Sequence, residues 1–189
     1  SRMLYNPAKN FGNFLIPGLG IAIVQTAIAM MCSASVKREE LEPGILKRTG
    51  YILGKIIFFG ILGVISFSLC FFIQTSLFGS PLRGNTGDII LLGGMLSFSV
   101  AAFSIMVSVL LLKRQMFSMT ITAVFIIPST VLGGYTWPVL SMPYIYQQYA
   151  KILPFYHFAD NYRDMLLKGI SINNIQKDII WFALFTAVT

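Results

Sequence analysis

The sequence predicts an all-α integral membrane protein: a polytopic helix bundle with short interfacial or re-entrant helices before its last span. Three observations predict this class. Of 189 residues, 56% are apolar and only 11% charged, against about 25% charged in an average soluble domain. The apolar residues gather in runs near the ~20 that a helix needs to cross the hydrocarbon core of a bilayer. Six of the eight tyrosines crowd into residues 133–177, a segment that is neither a span nor an ordinary polar loop, and such crowding marks the level of the lipid headgroups.

The elements follow in order. A first span covers 14–32, with Pro17 and Gly18 near its start, where a missing backbone N–H costs least. The stretch KREELEPGILKRTG then interrupts the apolar pattern, giving a connector over 35–50. Its Glu39, Glu40 and Glu42 alternate with bases, which predicts a short surface helix from Ser35 to about Leu41 before Pro43-Gly44 breaks it. Further spans cover 51–77, 89–112 and 116–132, the last two joined by Lys113-Arg114-Gln115. In the aromatic segment, Ser141 offers an N-cap with Pro143 in the first turn, and Ile145, Tyr149 and Ile152 recur at helical spacing. Pro154 forces a break, after which Phe158, Tyr162, Met165 and Leu166 share one face, His157, Asn161, Asp164 and Lys168 the other, and Gly169 is a C-cap. Two short outer helices over 142–168 result. The closing run DIIWFALFTAVT, 178–189, is about half a span and predicts a truncated fifth crossing.

Charge sets orientation and excludes several functions. The +7 net charge lies at the ends of apolar runs rather than along one face, which excludes a nucleic-acid partner. Lys37, Arg38, Lys47, Arg48 and Lys55, with Lys113 and Arg114, are dense enough to put both connections in the cytoplasm. Arg83, Lys151, Arg163, Lys168 and Lys177 are sparser and belong outside, with Lys55 close enough to its helix end to snorkel. Cys32 and Cys70 fit no metal spacing and serve as small apolar fillers. The sequence holds no Gly-rich Lys-Ser/Thr phosphate loop, no His-Glu-x-x-His pair and no Gly-x-Ser-x-Gly elbow, so no catalytic, metal or cofactor residues are assigned. No Asp or Glu sits mid-span, which argues against an ion-coupled transporter and for an energy source elsewhere.

Ser97, Ala101, Ser104 and Ser108 fall on one face of the third span, and Gly50 and Gly54 lie four apart in the second; both patterns suit close helix packing. The alternative for Ser97, Ser104 and Ser108, with the deeply placed Gln25, is a translocation path. The methionines Met30, Met31, Met95, Met106, Met116 and Met119 offer an adaptable lining or a lipid-facing surface.

Three places resemble one family. The entry YNPAKNFGNFLIPG (Asn6, Pro7, Pro17, Gly18), the turn GGYTWPVLSMP, and the exit LPFYHFADNYRDMLLKG (Leu153, Pro154, Arg163, Gly169) resemble, in that order, motifs of the carboxy-terminal transmembrane half of an ABC-2 type permease. The resemblance implies a drug- or multidrug-export type of permease subunit in the bacterial cytoplasmic (inner) membrane, working by alternating access on a drug, lipid or glycan. It implies an ABC ATPase partner that holds the ATP and Mg, a second permease subunit as homodimer or heterodimer, surrounding membrane lipids and a periplasmic adaptor. It makes Lys37, Arg38, Glu39, Glu40, Glu42, Lys47 and Arg48 the ATPase-coupling connector, although Pro43-Gly44-Ile45-Leu46 replaces the family's Glu, Gly-Thr, Leu-Glu pattern. Trp137, Pro138, Pro154, His157 and Arg163 fall at the outer gate or interface. Two other classes fit the residues alone: a membrane-embedded lipid-modifying enzyme using the polar groups from His157 to Asp164, and a non-transporting scaffold.

Overall fold

A computed structural model of the chain describes residues 11–36, 45–77, 79, 82–111, 115–134 and 139–189. Its helices are α1 (Phe11–Ser35), α2 (Ile45–Ser76), α3 (Thr86–Leu110), α4 (Gln115–Leu132), α5 (Tyr144–Ala150), α6 (Pro154–Lys168) and α7 (Gln176–Val188), with 3-10 turns at Val139–Ser141 and Ile172–Ile175. No strand occurs among the described residues. The first four helices are long and apolar enough to cross a bilayer.

The hub is α3. Of its span 61% is buried, against 22% for α2 and for α4, and it packs on all three other long helices as well as on α6 and α7. By contrast α2 turns Ile57, Phe58, Ile61, Ile65, Leu69 and Phe72 outward, which is no penalty where the solvent is lipid. The start of α3 is fixed by Asn85, whose side chain accepts from the Gly87 N–H, and by Asp88 in the first turn at the positive helix end. Glycines let α2 and α3 approach: a Cβ at Gly60 would meet the Phe98 ring at 2.5 Å, and one at Gly63 would meet Ser97 at 2.7 Å. Gly50 and Gly54 do not share this role. A Cβ at either meets nothing within 4 Å among the described residues, because the tight seam runs through Gly60 and Gly63, further along the helix.

Buried side chains form two clusters. Toward the basic end, Ile28, Cys32 and Val36 pack on Phe59, Ala101 and Ile105. Toward the aromatic end, Phe67, Phe71, Phe155, Phe158, Tyr162 and Phe182 join a larger core. The second cluster exists because α6 is enclosed. Its Phe155, Phe158, Tyr162 and Met165 are fully buried against α3, α4 and neighbouring helices, so α6 enters the bundle rather than lying flat on its surface. Pro154 opens α6, and Gly169, at φ 71°, closes it with its N–H on the Met165 carbonyl. The loop before α3 is stitched to this end. Arg83 N–H donates to the Leu166 carbonyl at 3.0 Å, and Asp88 accepts from Ser171 Oγ and the Ile172 N–H.

Three local expectations change. Ser141 is not a cap: it belongs to the 3-10 turn, and the extended backbone of Pro143 (ψ 147°) stands before α5 with no side-chain cap. Pro17 is the seventh residue of α1, not part of its first turn. Lys47 and Arg48 belong to α2, which starts at Ile45 directly after the Pro43-Gly44 pair, so the helix takes up the last third of the expected connector. The rest of it, 37–44, and with it the expected short surface helix, lies outside the described residues.

Candidate translocation and coupling site

The interior polar residues are all buried, at 8% exposure or less for Gln25, Ser97, Ser104 and Ser108. Ser97 and Ser104 donate back to their own helix, to the Gly93 and Val100 carbonyls, and Ser108 crosses to the Ser33 carbonyl of α1 at 2.9 Å. Gln25 reaches α4, its Nε2 donating to Ser129 Oγ at 3.3 Å. The Ser129 hydroxyl donates to the Ile126 carbonyl, so its lone pair must accept from the amide of Gln25. That assignment leaves Gln25 Oε1 without a protein partner among the described residues. Gln25 and Ser97 also line a small cavity of about 10 Å³ with Ile28, Phe67 and Leu96, about enough space for one water molecule. Ser104 and Ser108 do not line it. A row on α4 adds to this polarity: Ser118, Thr122 and Ser129 are fully buried, and the first two hydroxyls have no partner among the described residues. Sequence reasoning passed over that row, although positions 118, 122 and 129 share one helical face.

At the aromatic end, Trp137 and Pro138 lie outside the described residues. Pro154 starts α6, and Arg163 pairs with Asp160 one turn away on a partly exposed face, a contact of small energy. His157 does more. Its Nδ1 lies 2.7 Å from Asp178 Oδ1 of α7 and its Nε2 lies 2.9 Å from the Lys151 carbonyl. Both partners only accept, so both bonds coexist only when the ring carries two protons. Asn161 donates to Asp178 Oδ2 at 2.8 Å, and the imidazole stacks on Trp181 with centroids 4.0 Å apart. Nearby, burial first and the Asp160 and Asp178 carboxylates second raise the Tyr156 phenol above its ordinary pKa, which keeps it neutral. His157, Asn161 and Asp178 therefore tie α5, α6 and α7 together. His157→Phe keeps the stack on Trp181 but loses both hydrogen bonds; it should cost about 1 kcal/mol, read as a lower unfolding midpoint in detergent by tryptophan emission.

At the basic end, Lys37, Arg38, Glu39, Glu40 and Glu42 lie outside the described residues. Lys47 and Arg48 are exposed in the first turns of α2. Lys55 does not simply snorkel outward: Nζ donates to the Ser35 carbonyl at 2.6 Å, which places it at the end of α1. Neither Gln115 nor Ser33 stood out in the sequence, yet both belong to this junction, Gln115 Nε2 donating to the Ala34 carbonyl.

A bundle of long apolar helices around a buried polar seam, with the buried helix α6 at one end, defines a multi-pass membrane protein. The chain belongs to the ABC-2 family transporter proteins, whose family model matches residues 1–189. Among curated proteins it is similar to the probable multidrug ABC transporter permease YbhS of Escherichia coli K12, at 26% identity over 180 residues, covering 89% of this chain and 47% of that protein. The probable multidrug ABC transporter permease YbhR of the same strain is 26% identical over 192 residues, covering 97% of this chain and 50% of YbhR. ABC transporter G family member 20 of Dictyostelium discoideum is 24% identical over 193 residues, or 97% of this chain and 26% of that protein. The chain thus spans about half the length of the two bacterial relatives. No solved structure matches it at the same stringency.

Proposed function

We propose that this chain is the membrane-spanning part of a permease subunit of an ATP-driven exporter in a bacterial cytoplasmic membrane, powered by a separate ABC ATPase that carries ATP and Mg. The observation that carries the reading is the family match over the whole chain. Two sequence facts support it: the spans hold no mid-membrane acid to couple an ion gradient, and the chain has no phosphate-binding loop of its own. In this reading two permease subunits face each other, and lipid surrounds the outward face of α2. ATP binding in the partner displaces the connector, Lys37 to Arg48, which tilts α1 and α2, with the spans bonded to them, against the facing subunit and changes access to the polar seam at Gln25, Ser97, Ser104 and Ser108. The helices around Pro154, His157 and Arg163 close the outer side together with Trp137 and Pro138. The names of the bacterial relatives favour drug-like substrates, and a periplasmic adaptor would extend the route outward.

The lipid-modifying alternative gains nothing here, since the groups it would need around His157 are engaged with one another. Reversing the charges of Lys37, Arg38, Glu39 and Glu40 together tests the proposal. The variant should insert normally and lose at least tenfold in transport-coupled ATPase activity of the reconstituted complex, on the order of 1.4 kcal/mol or more in coupling; unimpaired coupling would reject the connector's role.

A further inference from the structure

A helix ends with carbonyl groups that have no partner within it, and these carry the negative end of its dipole. At the end of α1 that requirement is met by other helices. The last turn of α1 contains no basic residue. The Ser33 carbonyl accepts from Ser108 Oγ of α3 at 2.9 Å, the Ala34 carbonyl from Gln115 Nε2 at the first residue of α4, and the Ser35 carbonyl from Lys55 Nζ of α2 at 2.6 Å. Three consecutive carbonyls are thus held by three different spans. The Lys55 ammonium also lies 5.1 Å from the centre of the Tyr51 ring, which fixes it on the side of α2 that faces α1. The next residue, Val36, is 3% exposed and packs in the cluster of Cys32, Phe59 and Ile105. Residue 37 opens the connector.

The geometry points to Lys55, Ser108 and Gln115 as positioning residues that socket the stem of the connector, so that the basic ends of α1, α2, α3 and α4 move as one body. This rests on the permease reading and gives it a transmission element. A connector joined to α1 alone could bend that helix and leave the rest behind. Here a displacement at residue 37 meets bonds to three other spans at once, and polar bonds with a charged donor are the stronger kind. Sequence alone did not bring these residues together, because Lys55, Ser108 and Gln115 lie 20, 75 and 81 residues from their acceptors.

The test uses the reconstituted permease–ATPase complex with spin-label pairs, comparing the nucleotide-free state with the state trapped by ATP and vanadate. One pair joins Met31, exposed near the end of α1, to Leu110, which is exposed at the end of α3, and reports the socket. The other joins Leu110 to Gln148 of α5, exposed at the opposite end, and reports the rearrangement that opens the outer side. In the native complex the Met31–Leu110 distance should stay fixed while the Leu110–Gln148 distance shifts. In the Lys55→Met, Ser108→Ala, Gln115→Leu triple variant the first distance should shift by several ångström and the second should no longer move. Lys55→Met alone should show the same change at smaller amplitude, which keeps the test available if the triple variant folds poorly, and Lys55→Arg should behave as native. A Met31–Leu110 distance that shifts in the native complex, or a Leu110–Gln148 shift that survives in both the triple and the Lys55→Met variants, would overturn the socket. A Leu110–Gln148 distance fixed in the native complex would instead overturn the alternating-access reading and the coupling role built on it.

Discussion

Replacing Tyr162 by Ala should cost about 3–5 kcal/mol and detach α6 from the bundle. Tyr162 is fully buried. Its ring stacks on Phe158 at 5.0 Å between centroids and meets Phe67 edge-on at 6.0 Å, and Phe67 in turn meets Phe158 edge-on at 5.9 Å. Such pairs add to the area they bury, and removing one ring leaves a void that two fixed neighbours cannot fill. The phenol also donates to Gln74 Oε1 of α2 at 3.0 Å. Tyr162→Phe separates the two contributions, because it keeps the ring and removes the phenol that donates to Gln74. It should cost about 1–3 kcal/mol, and adding Gln74→Leu should return part of that loss, since removing both partners of a buried bond is cheaper than removing one. Denaturing-detergent titration of the three variants gives the cycle. A double variant no more stable than Tyr162→Phe would show that the bond is not made.

Gly93→Ala should cost close to 3 kcal/mol, the upper end for an overpacked site, although it adds a single methyl group. A Cβ at Gly93 would fall inside the van der Waals envelope of the Phe67 ring. That ring cannot retreat, since it is 1% exposed and held by Phe158 and Tyr162. The neighbouring Gly94 provides the control: a Cβ there would first meet Val64 Cγ2 at 3.5 Å, an ordinary contact, and alanine favours a helix over glycine by about 1 kcal/mol. The same titration should therefore find Gly94→Ala neutral or stabilising; equal losses at both positions would mean that α2 and α3 are not so closely apposed.

Much of this architecture was legible in the sequence because lipid leaves a chain few choices. With no water to satisfy backbone groups, each apolar run of sufficient length becomes a helix, and the four predicted spans differ from the observed helices mainly at their ends. Pro154 and Gly169 bounded α6 correctly, since one lacks the N–H that a helix start does not need and the other adopts the left-handed conformation that closes it. The apolar face Phe158, Tyr162, Met165, Leu166 was visible from its spacing, but not that the face is swallowed by the bundle, which depends on partners in α3 and α4. Hydropathy also misplaced the start of α2: the apolar run begins at Tyr51, yet the helix starts at Ile45, because charged residues such as Lys47 and Arg48 do not end a helix. The polar contacts were the least legible. Gln25 was recognisable as a deep amide, but its partner Ser129 is 104 residues away, and His157 stood out with the polar groups of its own helix, while its partner Asp178 lies 21 residues on, at the edge of the closing apolar run.

The stitching of the 83–88 segment to the end of α6 also bears on how the chain is made. Asp88 and its partner Ser171 are 83 residues apart, and a ribosome adds roughly 5–20 residues per second. The ends of α2 and α3 that lie beside α6 are therefore made several seconds before the segment that completes them. During that interval Gln74 has not met Tyr162, Asp88 has not met Ser171 and Ile172, and the notch at Gly84 is still open, where a Cβ would lie 2.5 Å from the Met165 carbonyl oxygen in the finished fold. These ends of α2 and α3 therefore reach their final packing only after α6 and the Ile172–Ile175 turn have been made.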